Sequence, residues 1–147
     1  MNKTNKIVSI SFGLFLLSLT QTALLCDDFD GPRTYSSISM FLTGGFCILG
    51  GGLMEWIVWL ANPIYFFAVT LFLRNSNKAK LLSIIASSLA FSFLFWNNIL
   101  AAEDGRTATI KSFKFGYYLW LASFIVLSIG IIRTNKKAKE LPKTTRE

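Results

Sequence analysis

The sequence predicts an all-α membrane protein, a four-transmembrane-helix bundle with an additional short re-entrant or interfacial helix between spans 1 and 2. Three observations predict it. Apolar residues make up 52% of the chain and fall in blocks, whereas a transmembrane barrel shows short segments of alternating polarity. The 36-residue stretch from Ile38 to Leu73 holds a single charge, Glu55; that is too long for one span of about 20 residues and barely enough for two with a turn. The excess positive charge of +7 is spread along the flanks of the apolar blocks, where basic residues set orientation and meet anionic lipid.

Four spans follow, at about residues 7–26, 54–73, 81–102 and 115–132, within one integral membrane domain over residues 1–147. Each has room to cross a ~30 Å hydrocarbon layer as a helix. The first begins after Lys3 and Lys6 and ends near Cys26. Leu24 and Leu25 stand where a cleavage or lipidation signal needs small residues, so it reads as an uncleaved helix.

Charge then fixes direction. Lys3 and Lys6, the loop containing Arg74, Lys78 and Lys80, and the basic tail 133–147 together hold 11 of the 15 basic residues, which places them in the cytoplasm by the positive-inside rule. The loop Asp27 to Ser37 carries three Asp and one Arg, which suits the outer side. Passing from an outer residue 37 to an inner residue 74 takes an odd number of crossings. The long stretch therefore crosses once, with roughly 16 residues to spare. The spare part is placed at residues 38–52, where Gly44, Gly45, Gly50, Gly51 and Gly52 weaken a helix and permit turns. The rival arrangement puts the crossing at Ile38 to Trp59 and lays Ile64 to Leu73 along the inner face. The aromatic run Tyr65-Phe66-Phe67 suits a span better than a surface helix.

In the second span Glu55 is the one ionisable side chain inside an apolar block, which makes it a functional candidate. Glu55, Trp59 and Asn62 share a helix face by the i, i+4, i+7 rule and form a candidate intramembrane polar site, able to hold a cation or a small polar group. The plainer reading leaves Glu55 at the outer interface, held by a hydrogen bond to an indole or a backbone amide. Asn62-Pro63 predicts a kink, with the Asn amide meeting a carbonyl that Pro63 frees.

In the third span Ser83, Ser87 and Ala90 belong to a small-xxx-small stripe that lets helices approach closely, within the chain or in a homo-oligomer. Trp96, Asn97 and Asn98 read as an interface anchor or as a polar vestibule beside Glu55. In the fourth, Gly116-Tyr117-Tyr118-Leu119-Trp120 reads as an aromatic girdle. This layout, with Trp59-Leu60-Ala61-Asn62-Pro63 and Cys26 after the first span, resembles small bacterial four-span membrane proteins that have no assigned activity. The resemblance implies the same four-span plan and nothing about mechanism.

The absence of His excludes His-based relays, triads and metal sites. The two Cys are not a CxxC pair, and the glycine run lacks the Lys of a phosphate loop. No enzyme activity, cofactor, metal or nucleic acid partner is expected. Cys26 and Cys47 fall on the same, oxidising side of a bacterial inner membrane, which makes them a possible disulfide. The expected function is that of a small, non-enzymatic bacterial inner-membrane protein with both termini cytoplasmic. It acts through helix–helix or partner contacts, as an accessory subunit or a toxin-immunity factor does. Its expected partners are the bilayer, anionic lipid headgroups at the cytoplasmic tail, and a protein partner or a homo-oligomer. The alternative is a small oligomeric transporter or channel using Glu55 and the Gly-rich segment.

Overall fold

A computed structural model describes residues 2–101 and 105–140, with side chains described as far as residue 135. Helix α1 runs over Lys3–Leu19, followed by the hairpin β1 Thr22–Asp28 and β2 Gly31–Ser36. A short helix α2, Ser37–Thr43, passes into a 3-10 segment, Gly44–Gly50. Helices α3, Leu53–Trp59, and α4, Ala61–Leu73, follow, and α5 covers Lys78–Ser92. A 3-10 turn at Phe93–Phe95 leads into β3, Asn98–Leu100, then β4, Thr107–Phe113, and the long α6, Phe115–Glu140.

The fold is mixed rather than all-α. The four strands form one antiparallel sheet in the order β2-β1-β4-β3, so the two segments expected as outer loops are hydrogen-bonded together. Cys26 of β1 lies opposite Arg33 of β2 and Ile110 of β4. Two of the expected spans are shortened by this. The first helix stops at Leu19, because residues 22–28 join the sheet. The third ends in the 3-10 turn at Phe95, because residues 98–100 pair with β4. Backbone groups at these apolar run ends find strand partners, which satisfies them as fully as a helix would.

Three stretches are long and apolar enough to cross a membrane: Leu53–Leu73, Lys78–Phe95 and Phe115–Asn135. The first joins α3 to α4, which gives the placement of the second crossing. A single helix over Ile38 to Trp59 is not formed. Gly51, at φ +86°, breaks it, and the Gly52 amide turns back to Cys47 O at 2.8 Å. That conformation suits a residue without Cβ. The spare residues form a 14-residue apolar helical segment, Ser37–Gly50, capped at its start by Ser36 Oγ accepting from the Ser39 amide. The fourth helix continues past residue 132 into the basic tail as far as Glu140; residues 141–147 lie outside the described residues.

Chain order puts the sheet at one end of the helices. The C-terminal ends of α1 and α5 and the N-terminal end of α6 all lead to strands, while Lys3, the α4–α5 turn and the far end of α6 lie opposite. Helix α1 packs chiefly on α6, and α5 on both α4 and α6. The middle of the bundle is filled. Phe15 stacks on Tyr65 with ring centres 5.5 Å apart, and Tyr65 meets Phe124 at 4.8 Å. Ser11 Oγ donates to Ser123 O at 2.8 Å, so the 2.7 Å bond between Tyr65 Oη and Ser11 Oγ has Tyr65 as its donor. Three helices are thereby tied through one buried hydroxyl.

Candidate functional site

A cavity of 180 Å³ lies where the sheet meets the helices, and Glu55, Trp59 and Asn62 all line it. The helical spacing read from the sequence therefore collects the three residues around one space. Each, however, spends its polar groups on structure. Glu55 Oε1 accepts from the Leu100 amide at 2.8 Å, fastening α3 to β3. Trp59 Nε1 donates to Phe41 O at 2.8 Å, fastening α3 to α2. Asn62 donates through Nδ2 to Trp59 O at 2.9 Å and accepts at Oδ1 from Trp120 Nε1 at 2.8 Å.

The Asn62 contact has a specific cause. Pro63 has no amide proton to offer the carbonyl four residues earlier, which is that of Trp59. The Asn62 side chain supplies the missing donor, and its other end reaches α6.

Trp59 also accounts for two of the glycines. A Cβ on Gly44 would lie 2.4 Å from Trp59 Cδ1, and one on Gly45 would lie 3.1 Å from its ring. Their role is to let the indole lie against the 3-10 segment, rather than to turn the chain. This pins one wall of the cavity.

The rest of the lining is largely apolar and aromatic, with Phe41, Phe93, Tyr117 and Trp120 facing Trp59 around the space. Tyr117 Oη donates to Ala90 O at 2.8 Å. Two hydroxyls differ from these. Tyr35 Oη and Ser37 Oγ are buried, belong to lining residues, and have no hydrogen-bond partner. The Arg33 guanidinium lies near enough to Tyr35 to favour its ionised form, but outside hydrogen-bond geometry. Burial, then Asp28, outweigh it and raise the Tyr35 pKa.

The small-residue stripe faces α6. Ser128 Oγ donates to Ser83 O at 2.8 Å, so Ser87 is the donor in its 2.8 Å bond to Ser128 Oγ, and Ala90 O takes the Tyr117 proton. Of the residues expected to form a vestibule, Trp96 packs on Phe93 at 5.2 Å, Asn97 O accepts from the Ile110 amide, and Asn98 opens β3.

The possible disulfide is not formed, and both thiols are free. Cys26 is buried within β1, between β2 and β4, whereas Cys47 sits in the 3-10 segment with its Sγ against Thr43 O at 3.8 Å. Burial raises both thiol pKa values, helped by Asp28 at Cys26 and by Glu55 at Cys47. Among the described residues no cluster of His, Cys, Asp or Glu could hold a metal ion. Comparison with protein-family models, curated proteins and solved structures finds no match.

Sequence reasoning missed Tyr35, Ser37 and Leu100 as neighbours of Glu55. The missing signal was β4, where Thr107, Thr109 and Ile110 are β-branched and burial alternates at its start.

Proposed function

We propose that this chain is a non-enzymatic, four-span protein of a bacterial inner membrane that works by binding at its sheet-capped outer end, with both termini in the cytoplasm. The observation that carries the reading is the use made of the cavity's polar groups. Glu55, Trp59 and Asn62 are held in fixed hydrogen bonds between elements, and no nucleophile stands beside a base. The space is built for occupancy by a partner group, not for chemistry.

Helix α1 serves as the fourth span. Its 17 residues give about 25 Å at 1.5 Å each, at the short end of the spanning range. Ile10, Phe12, Leu16 and Leu17 are exposed on it, as Phe66, Phe67 and Ile84 are on the other helices, which suits lipid contact. Lys3, Lys6, Arg74, Lys78 and Lys80 then share the end away from the sheet, in keeping with the positive-inside rule.

The transporter reading is disfavoured by the Phe15–Tyr65–Phe124 stack, which fills the middle of the bundle. Flux across vesicles holding the purified chain tests the choice. The binding reading expects no more cation flux than empty vesicles show. Flux that Glu55→Leu abolishes would replace it with the transport reading.

A further inference from the structure

Of the polar groups lining the cavity, nearly all are spoken for. The indoles of Trp59 and Trp120, both ends of the Asn62 amide, Glu55 Oε1 and Tyr117 Oη each have a partner within the fold. Thr43 Oγ1 donates to Ser39 O. The Tyr35 and Ser37 hydroxyls do not, and Ser37 is only 8% exposed. A buried hydroxyl without a partner costs stability unless something else meets it, so these two mark where an occupant is expected to bond.

Size, walls and charge narrow the occupant. The 180 Å³ space compares with the roughly 150 Å³ of an apolar cavity that takes up benzene. Five aromatic side chains (Phe41, Trp59, Phe93, Tyr117 and Trp120) surround it and favour a planar ring. The Glu55 carboxylate on the wall opposes an anion. The lining is fully buried at Leu24 and exposed at Thr43, so the space reaches the surface along α2.

We infer that the cavity binds a neutral, ring-sized molecule carrying hydrogen-bonding oxygen, a phenol or the quinone-type head of a lipid, with its oxygen on Tyr35 Oη and Ser37 Oγ. The inference rests on the binding reading above and adds the class of ligand. A free phenol and a lipid head share the ring and the oxygen; a tail leaving along α2 separates them.

The test uses the full chain in phosphatidylcholine nanodiscs and a diazirine-bearing p-cresol probe, with labelled peptides mapped by mass spectrometry. Saturable labelling of the segment holding Tyr35 and Ser37 is expected. Unlabelled p-cresol should compete about tenfold better than toluene, the worth of one hydrogen bond. The Tyr35→Phe/Ser37→Ala double variant should erase that preference, and Val58→Phe, which fills the space, should erase the labelling. A decyl-tailed benzoquinone competing better than p-cresol supports a lipid source, and one competing no better supports a free ring. Toluene competing as well as p-cresol in the unaltered protein overturns the ligand class while leaving the cavity a binding site, and it decides even where the double variant fails to fold. Absence of saturable labelling overturns the inference outright, and the flux measurement still judges binding against transport.

Discussion

Asn62 Oδ1 accepts a 2.8 Å hydrogen bond from Trp120 Nε1, so the residue that repairs the Pro63 break in one span also holds the neighbouring span in place. Asn62 is nearly fully buried, so both of its bonds form away from water, where an unmet group is costly.

Asn62→Ala should therefore lower stability by about 1–3 kcal/mol, since Trp59 O and Trp120 Nε1 both lose a partner. Adding Pro63→Ala restores a backbone donor for Trp59 O and should recover part of that loss. Denaturant titration in detergent micelles reads both steps. A double variant no more stable than Asn62→Ala would show that the amide is not standing in for the proline's missing proton.

Glu55 acts here as an acceptor. Glu55→Gln keeps an oxygen for the Leu100 amide and should stay close to the parent in stability, whereas Glu55→Leu should cost about 1–3 kcal/mol by orphaning that amide. Equal losses in the two variants, measured by the same titration, would mean that the charge itself matters.

Much of this was legible in the sequence. Lys3, Lys6, Arg74, Lys78 and Lys80 gave the direction of the helices, and Gly50-Gly51-Gly52 marked the break before the second span. The Glu55, Trp59 and Asn62 spacing found three walls of the cavity. The sheet was hidden for a physical reason. Residues 23–26 and 99–101 are apolar and run on from helical blocks without interruption, so hydropathy merges strand into span. What ends α1 at Leu19 is pairing with β4, a partner nearly ninety residues away, which no local pattern records. The same distance concealed Leu100 as the partner of Glu55.

Gly130 sits where α6 meets α1. A Cβ there would fall 2.3 Å from Ile7 Cγ2, so Gly130→Ala should destabilise the α1–α6 contact by about 1–3 kcal/mol through overpacking. Ile7→Ala in the same chain makes room and should return part of the loss. Thermal unfolding of the single and double variants measures it, and strict additivity would place the strain elsewhere.

The thiols supply a pH test. Burial raises the pKa of both Cys26 and Cys47, so at any pH between neutral and about 9 fewer thiolates form than in an unfolded chain. Alkylation by N-ethylmaleimide should run slower in the native protein than in denaturant, with Cys26 slowest because it is enclosed by the sheet. The rate should climb as pH rises. Native labelling as fast as unfolded labelling would contradict the burial of Cys26.

Sidedness of the sheet tests the central claim most directly. With Cys26 and Cys47 replaced by Ser, single cysteines are introduced at Phe29, 88% exposed in the β1–β2 turn, and at Asn77, exposed in the α4–α5 turn. Intact cells are then treated with a membrane-impermeant maleimide. The account predicts that Phe29→Cys labels at once, and that Asn77→Cys labels only after the membrane is opened. Labelling of Asn77→Cys in intact cells with Phe29→Cys protected would put the sheet and its cavity in the cytoplasm and contradict the account.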